Sequence, residues 1–205
     1  MTTSILLPTS YLAAVSYYKE IHRCDRVLIE IYEHFPKQTW RNRCSIYSPN
    51  GIQQMTIPLD GRKDKTLTKD IRIDNSKPWQ KLHWRSLEAA YRSSPYFEYY
   101  EDDLRTLFET GSDLLYEFNA KIQEKIFLLL NIEKEVRFTS SYIKDHDDAE
   151  DLREALSKKF LSTISVYPRY LQVFENKHGF LSNLSIADLL FNLGPSAKGY
   201  LEELQ

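Results

Sequence analysis

Residues 4–31 read SILLPTSYLAAVSYYKEIHRCDRVLIEI, and this stretch decides the fold. A short apolar run ends at Pro8 and predicts a strand, after which Thr9 or Ser10 is the expected helix cap. Over residues 11–21, apolar side chains recur at helical spacing, at Leu12, Val15, Tyr18 and Ile21. The β-branched run at residues 27–31 predicts a second, buried strand. Strand, helix and strand make a βαβ unit, whose strands are normally parallel with a right-handed crossover.

A ligand site is expected at the carboxyl ends of these two strands, where open parallel sheets bind ligands. That rule brings residues 8–11 and 33–37 to one edge of the sheet. Residues 37–44 follow and read KQTWRNRC, which combines three cations, two carboxamides and an indole. Such a cluster suits an anionic, planar or sugar-like ligand better than a core. The predicted ligand-binding residues are Lys37, Trp40, Arg41, Asn42 and Arg43.

Arg41 and Arg43 are two residues apart, so their side chains would share a face if the segment is extended, with Asn42 on the other face. A pair of guanidinium forks binds phosphate or carboxylate through paired hydrogen bonds. In the competing interpretation, one arginine pairs with a surface acid, and Trp40 only covers the core; two arginines plus Lys37 exceed what local pairing with Glu33 demands.

Two histidines are candidate proton-transfer groups. His83 lies in the first half of a predicted helix, where the helix dipole disfavours the charged imidazole and suits a neutral base. His34, beside Glu30 and Glu33, is nearer the predicted sheet edge. A lone histidine can equally be a hydrogen-bonded structural group. The sequence lacks HExxH, P-loop, GxGxxG and GxSxG motifs, so zinc proteolysis, Walker-type hydrolysis and α/β-hydrolase chemistry lose support and no cofactor is indicated.

The rest of the chain predicts a hairpin, a helical layer and another strand. Residues 43–47 and 52–58 flank Asn50-Gly51, a strong hairpin signal. Residues 60–69 are expected to be a loop and residues 70–73 a short strand. Helical patterns, the first capped by Asn75 or Ser76, cover residues 76–91, 96–108 and 113–130, and residues 135–138 read as a strand. The expected architecture is one α/β domain, 1–205, with a central, mainly parallel sheet, one β-hairpin and a helical layer.

Residues 145–159 are rich in charge and poor in apolar side chains. Their first seven residues read DHDDAED and could imitate a metal site. They lack the glycine and the final bidentate glutamate of a calcium loop, so no metal is expected. A solvated linker or a helix N-terminus is the expected structure of this variable segment.

Composition limits the class of partner. The chain has 27 Lys plus Arg against 29 Asp plus Glu, a net charge of −2, which argues against a dedicated nucleic-acid binder. RNA engagement would need the basic residues Arg62, Lys63 and Lys65. Cys24 and Cys44 lack CxxC spacing and indicate a reduced, cytoplasmic setting. No signal peptide and no membrane-spanning apolar run is visible, and no oligomeric state is indicated.

Several sequence blocks, in their joint order, resemble the WbqC-like family. They are Lys37-x-x-Trp40-Arg41-Asn42-Arg43, Pro49-Asn50-Gly51, Thr56-Ile57-Pro58, Ile73-Asp74-Asn75-Ser76, Trp79, His83-Trp84, Tyr91-Arg92-x-x-Pro95-Tyr96-Phe97 and residues 183–192. Members are bacterial proteins often found with polysaccharide or O-antigen biosynthesis. The resemblance therefore implies a surface-glycan enzyme, a possible transferase acting on an activated sugar, with a small anionic or sugar ligand as its partner.

On this hypothesis Arg41 and Arg43 hold a phosphate or carboxylate, and Asn42 orients a hydroxyl. Trp40 stacks on the sugar or base, and His34 or His83 moves a proton. The alternative is a non-catalytic binding or scaffold protein of a glycan-assembly complex. That alternative predicts an apolar surface patch and no deep pocket around residues 37–43.

The chain departs from the family pattern in three places. The family's opening strand ends in His-Gln-Pro, whereas this chain has Leu6-Leu7-Pro8. Ile31-Tyr32 stand where many members carry Asp-Asp, and residues 145–159 replace a Tyr-Leu-Ser-Gly strand and loop. If the missing groups perform the family's chemistry, the chain is either a divergent enzyme or a protein that retains only ligand binding. The retained residues Lys37, Arg41, Asn42, Arg43 and His83 argue that a pocket survives.

Overall fold

The computed structural model describes residues 4–61, 65–146, 148–156 and 167–204. Its strands are β1 (Ser4–Pro8), β2 (Arg26–Glu30), β3 (Arg43–Ser48), β4 (Gly51–Thr56), β5 (Glu135–Phe138) and β6 (Glu150–Asp151). Its α-helices are α1 (Val15–Arg23), α2 (Trp79–Tyr91), α3 (Phe97–Thr110), α4 (Leu115–Leu129), α5 (Glu175–His178), α6 (Ile186–Leu193) and α7 (Ala197–Glu203). None of these helices is long and apolar enough to cross a membrane.

The central sheet has the strand order β5-β2-β1-β6, and every pairing in it is parallel. β1 and β2 pair in the register Ser4↔Arg26 to Pro8↔Glu30, with α1 as their crossover. Ile5, Leu6 and Leu7 are fully buried, as expected of a strand covered on both faces. β3 and β4 form a separate antiparallel hairpin. The predicted α/β architecture, with its βαβ unit, parallel sheet and hairpin, is confirmed.

α1 begins at Val15, several residues after the expected start, and neither Thr9 nor Ser10 caps it. Ala14 occupies the cap position, and its side chain makes no capping hydrogen bond. Instead, the backbone N–H of Ser16 donates to Asn183 Oδ1 at 2.8 Å. The predicted cap is therefore wrong, because an amide from the far end of the chain satisfies this helix terminus.

Two smaller predictions around residues 60–78 are also wrong. Residues 70–73 form no strand: a short 3₁₀ helix covers Thr68–Asp70, and Arg72 and Ile73 make only isolated bridges. α2 starts after Pro78 without a side-chain cap. Asn75 Oδ1 instead accepts a hydrogen bond from Trp79 Nε1 at 3.1 Å.

Helix α6, in the C-terminal part of the chain, completes the core on the side of the helical layer. Seven of its residues, 186–192, are buried. The Phe191 ring lies 5.2 Å from the Tyr91 ring of α2 and 5.0 Å from the Phe97 ring of α3, measured between centroids. Burying one such aromatic side chain contributes about 1.5–3 kcal/mol to folding, so α6 is an integral part of the domain.

The charged segment at 145–159 does not remain a solvated linker where the structure describes it. Glu150 and Asp151 form β6, which pairs with Ile5 and Leu6 of β1. Arg153 is 7% exposed and therefore enters the interior. The linker prediction is wrong for these residues; Asp147 and residues 157–166 lie outside the described ranges. Among the described residues, no cluster of three or more metal-ligating side chains is found.

Candidate functional site

A cleft of about 260 Å³ lies where three distant segments meet. These segments are the loop between β1 and α1, the start of the hairpin with the turn before it, and the loop before α6. The lining residues are 10–14, Trp40, 43–45, Ile52, Gln54 and 182–185. Two of the predicted ligand-binding residues, Trp40 and Arg43, are therefore part of the cleft wall.

Backbone hydrogen bonds hold the three segments together. The N–H of Tyr11 donates to the carbonyl of Trp40 at 3.0 Å, and the N–H of Ser185 donates to the carbonyl of Ser45 at 2.9 Å. An isolated antiparallel bridge joins Ala14 to Ser185. Because each segment is tied to another by main-chain groups, the cleft wall is fixed by the fold and does not depend on one loop alone.

Two residues of the wall have left-handed backbone conformations. Leu12 has φ = 39° and Asn183 has φ = 57°, and both line the cleft. A bulky non-glycine residue in this region carries backbone strain on the order of 1 kcal/mol or more, which surrounding contacts must hold in place. Strain of this kind is frequent at ligand-binding sites.

The wall also contains two buried hydrogen-bond donors without partners among the described residues, Trp40 Nε1 and Arg43 Nε. A buried donor left unsatisfied costs about 1–3 kcal/mol, more when it is charged. Arg43 is half-buried and forms no ion pair with a described residue. A ligand or an ordered water molecule that reached these nitrogens would recover the lost hydrogen bonds.

Arg41 has a different environment. Its Nε and one terminal nitrogen both lie 2.6 Å from Glu33 Oε1, and the two side chains are 5% and 13% exposed. The Arg41 carbonyl accepts from Asn119 Nδ2 at 2.8 Å. Arg41 lies in a turn and does not line the cleft, and the extended strand begins only at Arg43. The two guanidinium groups therefore do not form the paired fork that an extended segment would produce.

The Arg41–Glu33 pair also affects the titration of Glu33. Burial raises the pKa of the Glu33 carboxyl above its ordinary value, and the nearby Arg41 guanidinium partly opposes that rise. The neighbouring Glu30 adds to the rise, and Arg153 opposes it. Glu33 is therefore a carboxylate that depends on its arginine partner to stay charged in the interior.

The other predicted site residues lie outside the cleft lining. Asn42 is buried, and its Nδ2 donates to the carbonyl of Ile57 at 2.9 Å, which fastens the end of the hairpin. Lys37 is exposed in the turn that contains Gln38. His34 is also exposed, with its Nδ1 2.9 Å from the carbonyl oxygen of Lys65.

His83 is buried beside the cleft but is separated from it by Tyr11. The Tyr11 hydroxyl lies 2.9 Å from His83 Nδ1, and the rings of Trp79 and Phe118 pack around the pair. Burial lowers the pKa of His83 to about 4, although a hydrogen bond to the backbone of Thr56 opposes the shift. The imidazole is therefore neutral at physiological pH, and Tyr11, which does line the cleft, is its link to that space.

A second group of buried charged side chains lies at the carboxyl end of β2, around Glu30. Glu30 is fully buried, and its Oε2 accepts from Arg153 at 3.0 Å. Its Oε1 accepts from the Thr139 hydroxyl at 2.9 Å and from the Tyr32 N–H at 2.7 Å. Sequence reasoning missed the role of Arg153, because that residue lies in the segment expected to be solvated. The available signal was the acid inside the apolar run of residues 27–31, which needs a buried partner.

The structure thus defines an α/β protein with a cleft beside its parallel sheet, whose wall is mainly apolar and includes the polar groups of Trp40 and Arg43. The chain belongs to the WbqC-like protein family, whose model matches residues 9–163, so the resemblance seen in the sequence is confirmed. The match contains residues 37–43, His34 and His83, but it ends before residues 182–185, which form one wall of the cleft.

One curated relative covers nearly the whole chain. It is "Uncharacterized protein Rv1507c" of Mycobacterium tuberculosis, 25% identical over 223 residues that span 96% of each chain. No solved structure matches the chain. The relative's name carries no activity, so the comparisons establish the family and leave the reaction to be proposed from the site.

Proposed function

We propose that the cleft binds a small anionic or sugar-containing ligand, and that the protein is an enzyme of bacterial surface-glycan assembly that transfers a group to or from an activated sugar. The observation that carries the binding proposal is the pair of unpartnered buried donors, Trp40 Nε1 and Arg43 Nε, in one cleft wall. The glycan setting rests on membership of the WbqC-like family.

The proposed ligand chemistry follows from the side chains of the wall. Arg43 offers a guanidinium with no competing carboxylate among the described residues, which suits a phosphate or a carboxylate. Trp40 offers a flat apolar face with a polar N–H, a combination that suits a sugar ring or a base. Ser45 and Gln54 line the same space and suit sugar hydroxyls. Arg41 and Asn42 belong to the proposed site as the residues that hold the turn carrying Trp40 and Arg43.

For the chemical step we propose His83 as the proton-transfer group, acting through Tyr11. Nδ1 of a neutral imidazole can accept the proton of the Tyr11 hydroxyl, which is 2.9 Å away. Burial raises the pKa of Tyr11 well above its ordinary value, so the hydroxyl keeps its proton at rest and any transfer depends on the bound ligand. His34, exposed on its loop, is the second candidate.

Ligand-induced shifts of the melting temperature test the binding proposal. The probes are nucleotide sugars, sugar phosphates, and acyl or aminoacyl donors. We expect at least one to stabilise the wild type, and Arg43→Ala to weaken its binding roughly ten- to hundredfold, which corresponds to losing a charged hydrogen bond. Trp40→Phe keeps the aromatic face and removes the N–H, so a smaller loss is expected.

Arg105→Ala is the matched control, because Arg105 pairs with Asp102 on the surface of α3. It should leave every probe's affinity unchanged. The binding proposal is wrong if no probe shifts the wild type, or if Arg43→Ala and Trp40→Phe bind as tightly as the control variant.

A non-catalytic binding protein is the second candidate function. The titratable groups of the cleft favour it, because burial raises the pKa of both Tyr11 and Cys44 and keeps both neutral near pH 7. Incubating the protein with a probe that binds, and following product by mass spectrometry, separates the two functions. The enzyme requires turnover that His83→Phe abolishes without weakening binding, whereas the binding protein shows no turnover in either form.

A further inference from the structure

Strand β5 forms an open edge of the central sheet. Its inner side pairs with β2, and no other strand in the described part of the chain pairs with its outer side. All four of its residues are exposed, including Val136 at 37% and Phe138 at 43%. Two more exposed apolar side chains follow, Tyr142 and Ile143. An edge strand with unpaired backbone groups and apolar side chains is a surface on which another strand can pair.

The charges of β5 distinguish between possible ways of pairing. Glu135 and Arg137 share one face of the strand, and Val136 and Phe138 share the other. On the inner side, Glu135 lies opposite Arg26 of β2, with Oε2 and Nε 3.2 Å apart. Opposite charges across neighbouring strands stabilise a sheet, and like charges destabilise it.

Two copies of β5 are complementary to each other in one antiparallel register. If the pairing is centred on Val136, then Glu135 of each copy faces Arg137 of the other, and Val136 faces its own counterpart. Side chains opposite one another on neighbouring strands then form continuous lines across the two sheets. In one line the charges alternate from Arg26 to Glu135 to Arg137 of the second copy. In the next line, Val27 and Val136 are followed by Val136 of the second copy. Parallel, in-register pairing would instead place like charges opposite each other, so the sequence of β5 favours the antiparallel arrangement.

We propose that this protein self-associates through antiparallel pairing of β5 about a two-fold axis at Val136, which joins the two central sheets into one. The interface is isologous, because the same strand serves on both copies. Phe138 lies on the face of Val136 and is 43% exposed, so its side chain adds apolar area beside the junction.

Sedimentation velocity over a range of protein concentrations, combined with a pair of charge reversals, tests this proposal. Glu135→Arg makes the strand basic at both charged positions, and Arg137→Glu makes it acidic at both. Each variant alone should be monomeric at concentrations where the wild type is dimeric, because like charges then face each other. An equimolar mixture of the two variants should form a heterodimer, because opposite charges face each other again. Circular dichroism and thermal melting check that each variant is folded.

Leu171→Ser is the control, because Leu171 is 83% exposed and belongs to the segment before α5, outside β5. This control should dimerise like the wild type. A wild type that stays monomeric throughout overturns the proposal, as does a dimer that both charge reversals leave intact. Two monomeric variants that fail to combine when mixed overturn the antiparallel register.

Discussion

Replacing Arg41 with alanine should destabilise the protein strongly, because Arg41 is the cation that compensates a buried carboxylate. Arg41 is 4% exposed, and two of its nitrogens lie 2.6 Å from Glu33 Oε1. Removing one partner of a buried ion pair costs about 3–5 kcal/mol, since the other charge remains in the interior. In a domain of this size each kcal/mol lowers the melting temperature by about 2–4 °C, so we expect a fall of roughly 6–20 °C.

The loss should depend on pH in a defined direction. Burial already raises the pKa of Glu33, and Arg41 opposes that rise, so the variant's Glu33 pKa should be higher still. A carboxyl whose folded pKa lies above its unfolded pKa binds its proton more tightly in the folded state. The destabilisation of Arg41→Ala relative to wild type should therefore be largest at neutral pH and should shrink as pH falls through the folded pKa of Glu33.

Urea unfolding at pH 7 and pH 5 measures both effects. Adding Glu33→Gln to Arg41→Ala removes the uncompensated charge and should recover much of the lost free energy of unfolding. Arg105→Ala, whose surface ion pairs are exposed, should cost no more than about 1 kcal/mol. A loss for Arg41→Ala as small as that of this control, with no recovery in the double variant, would refute the buried-pair argument and leave Arg41 available to a ligand.

Two further predictions concern His83 and the glycines near the C-terminus. The pKa of His83 falls from its ordinary value of 6.5 to about 4 in the folded protein, so stability is lost as pH falls through this window. In urea titrations, His83→Phe should reduce the pH-dependent change in the free energy of unfolding by up to about 3 kcal/mol. An unchanged pH profile of that free energy would contradict the lowered pKa of His83. Gly194→Ala should cost more than about 1 kcal/mol, because φ is +53° and the new Cβ would overlap the Tyr96 ring. Gly199 lies within α7, and a Cβ added there would meet no other atom. Gly199→Ala should therefore stabilise the protein by about 0.5–1 kcal/mol. Denaturant unfolding measures both glycine variants, and a Gly194→Ala protein more stable than Gly199→Ala would contradict both expectations.

Much of the fold could be predicted because it depends on local patterns. The apolar run before Pro8 and the β-branched run after Asp25 identify β1 and β2, and Asn50-Gly51 identifies the hairpin turn. Periodic apolar positions identify the helices of the helical layer and the strand β5. Each of these signals is contained within a few consecutive residues, so no knowledge of distant contacts is needed.

The errors occur where a distant group replaces a local one. Asn183 satisfies the start of α1, so the nearby Thr9 and Ser10 are not used as caps. Glu30 draws Arg153 into the interior, so a segment that looks solvated in sequence contributes β6 and a buried cation. The partner in each contact cannot be identified from neighbouring residues, because each contact joins positions more than 100 apart in the chain.

For the candidate site, the sequence alone determined which side chains are present and that the cationic cluster follows the second strand of a βαβ unit. Only the tertiary structure decided how those cations differ: Arg41 is neutralised by Glu33, whereas Arg43 lies in the cleft wall without a partner among the described residues. It also brought residues 10–14 and 182–185 together to form that wall. The physical reason is that periodicity reports which face of a segment is buried, whereas ion pairing and cavity formation depend on which buried faces meet.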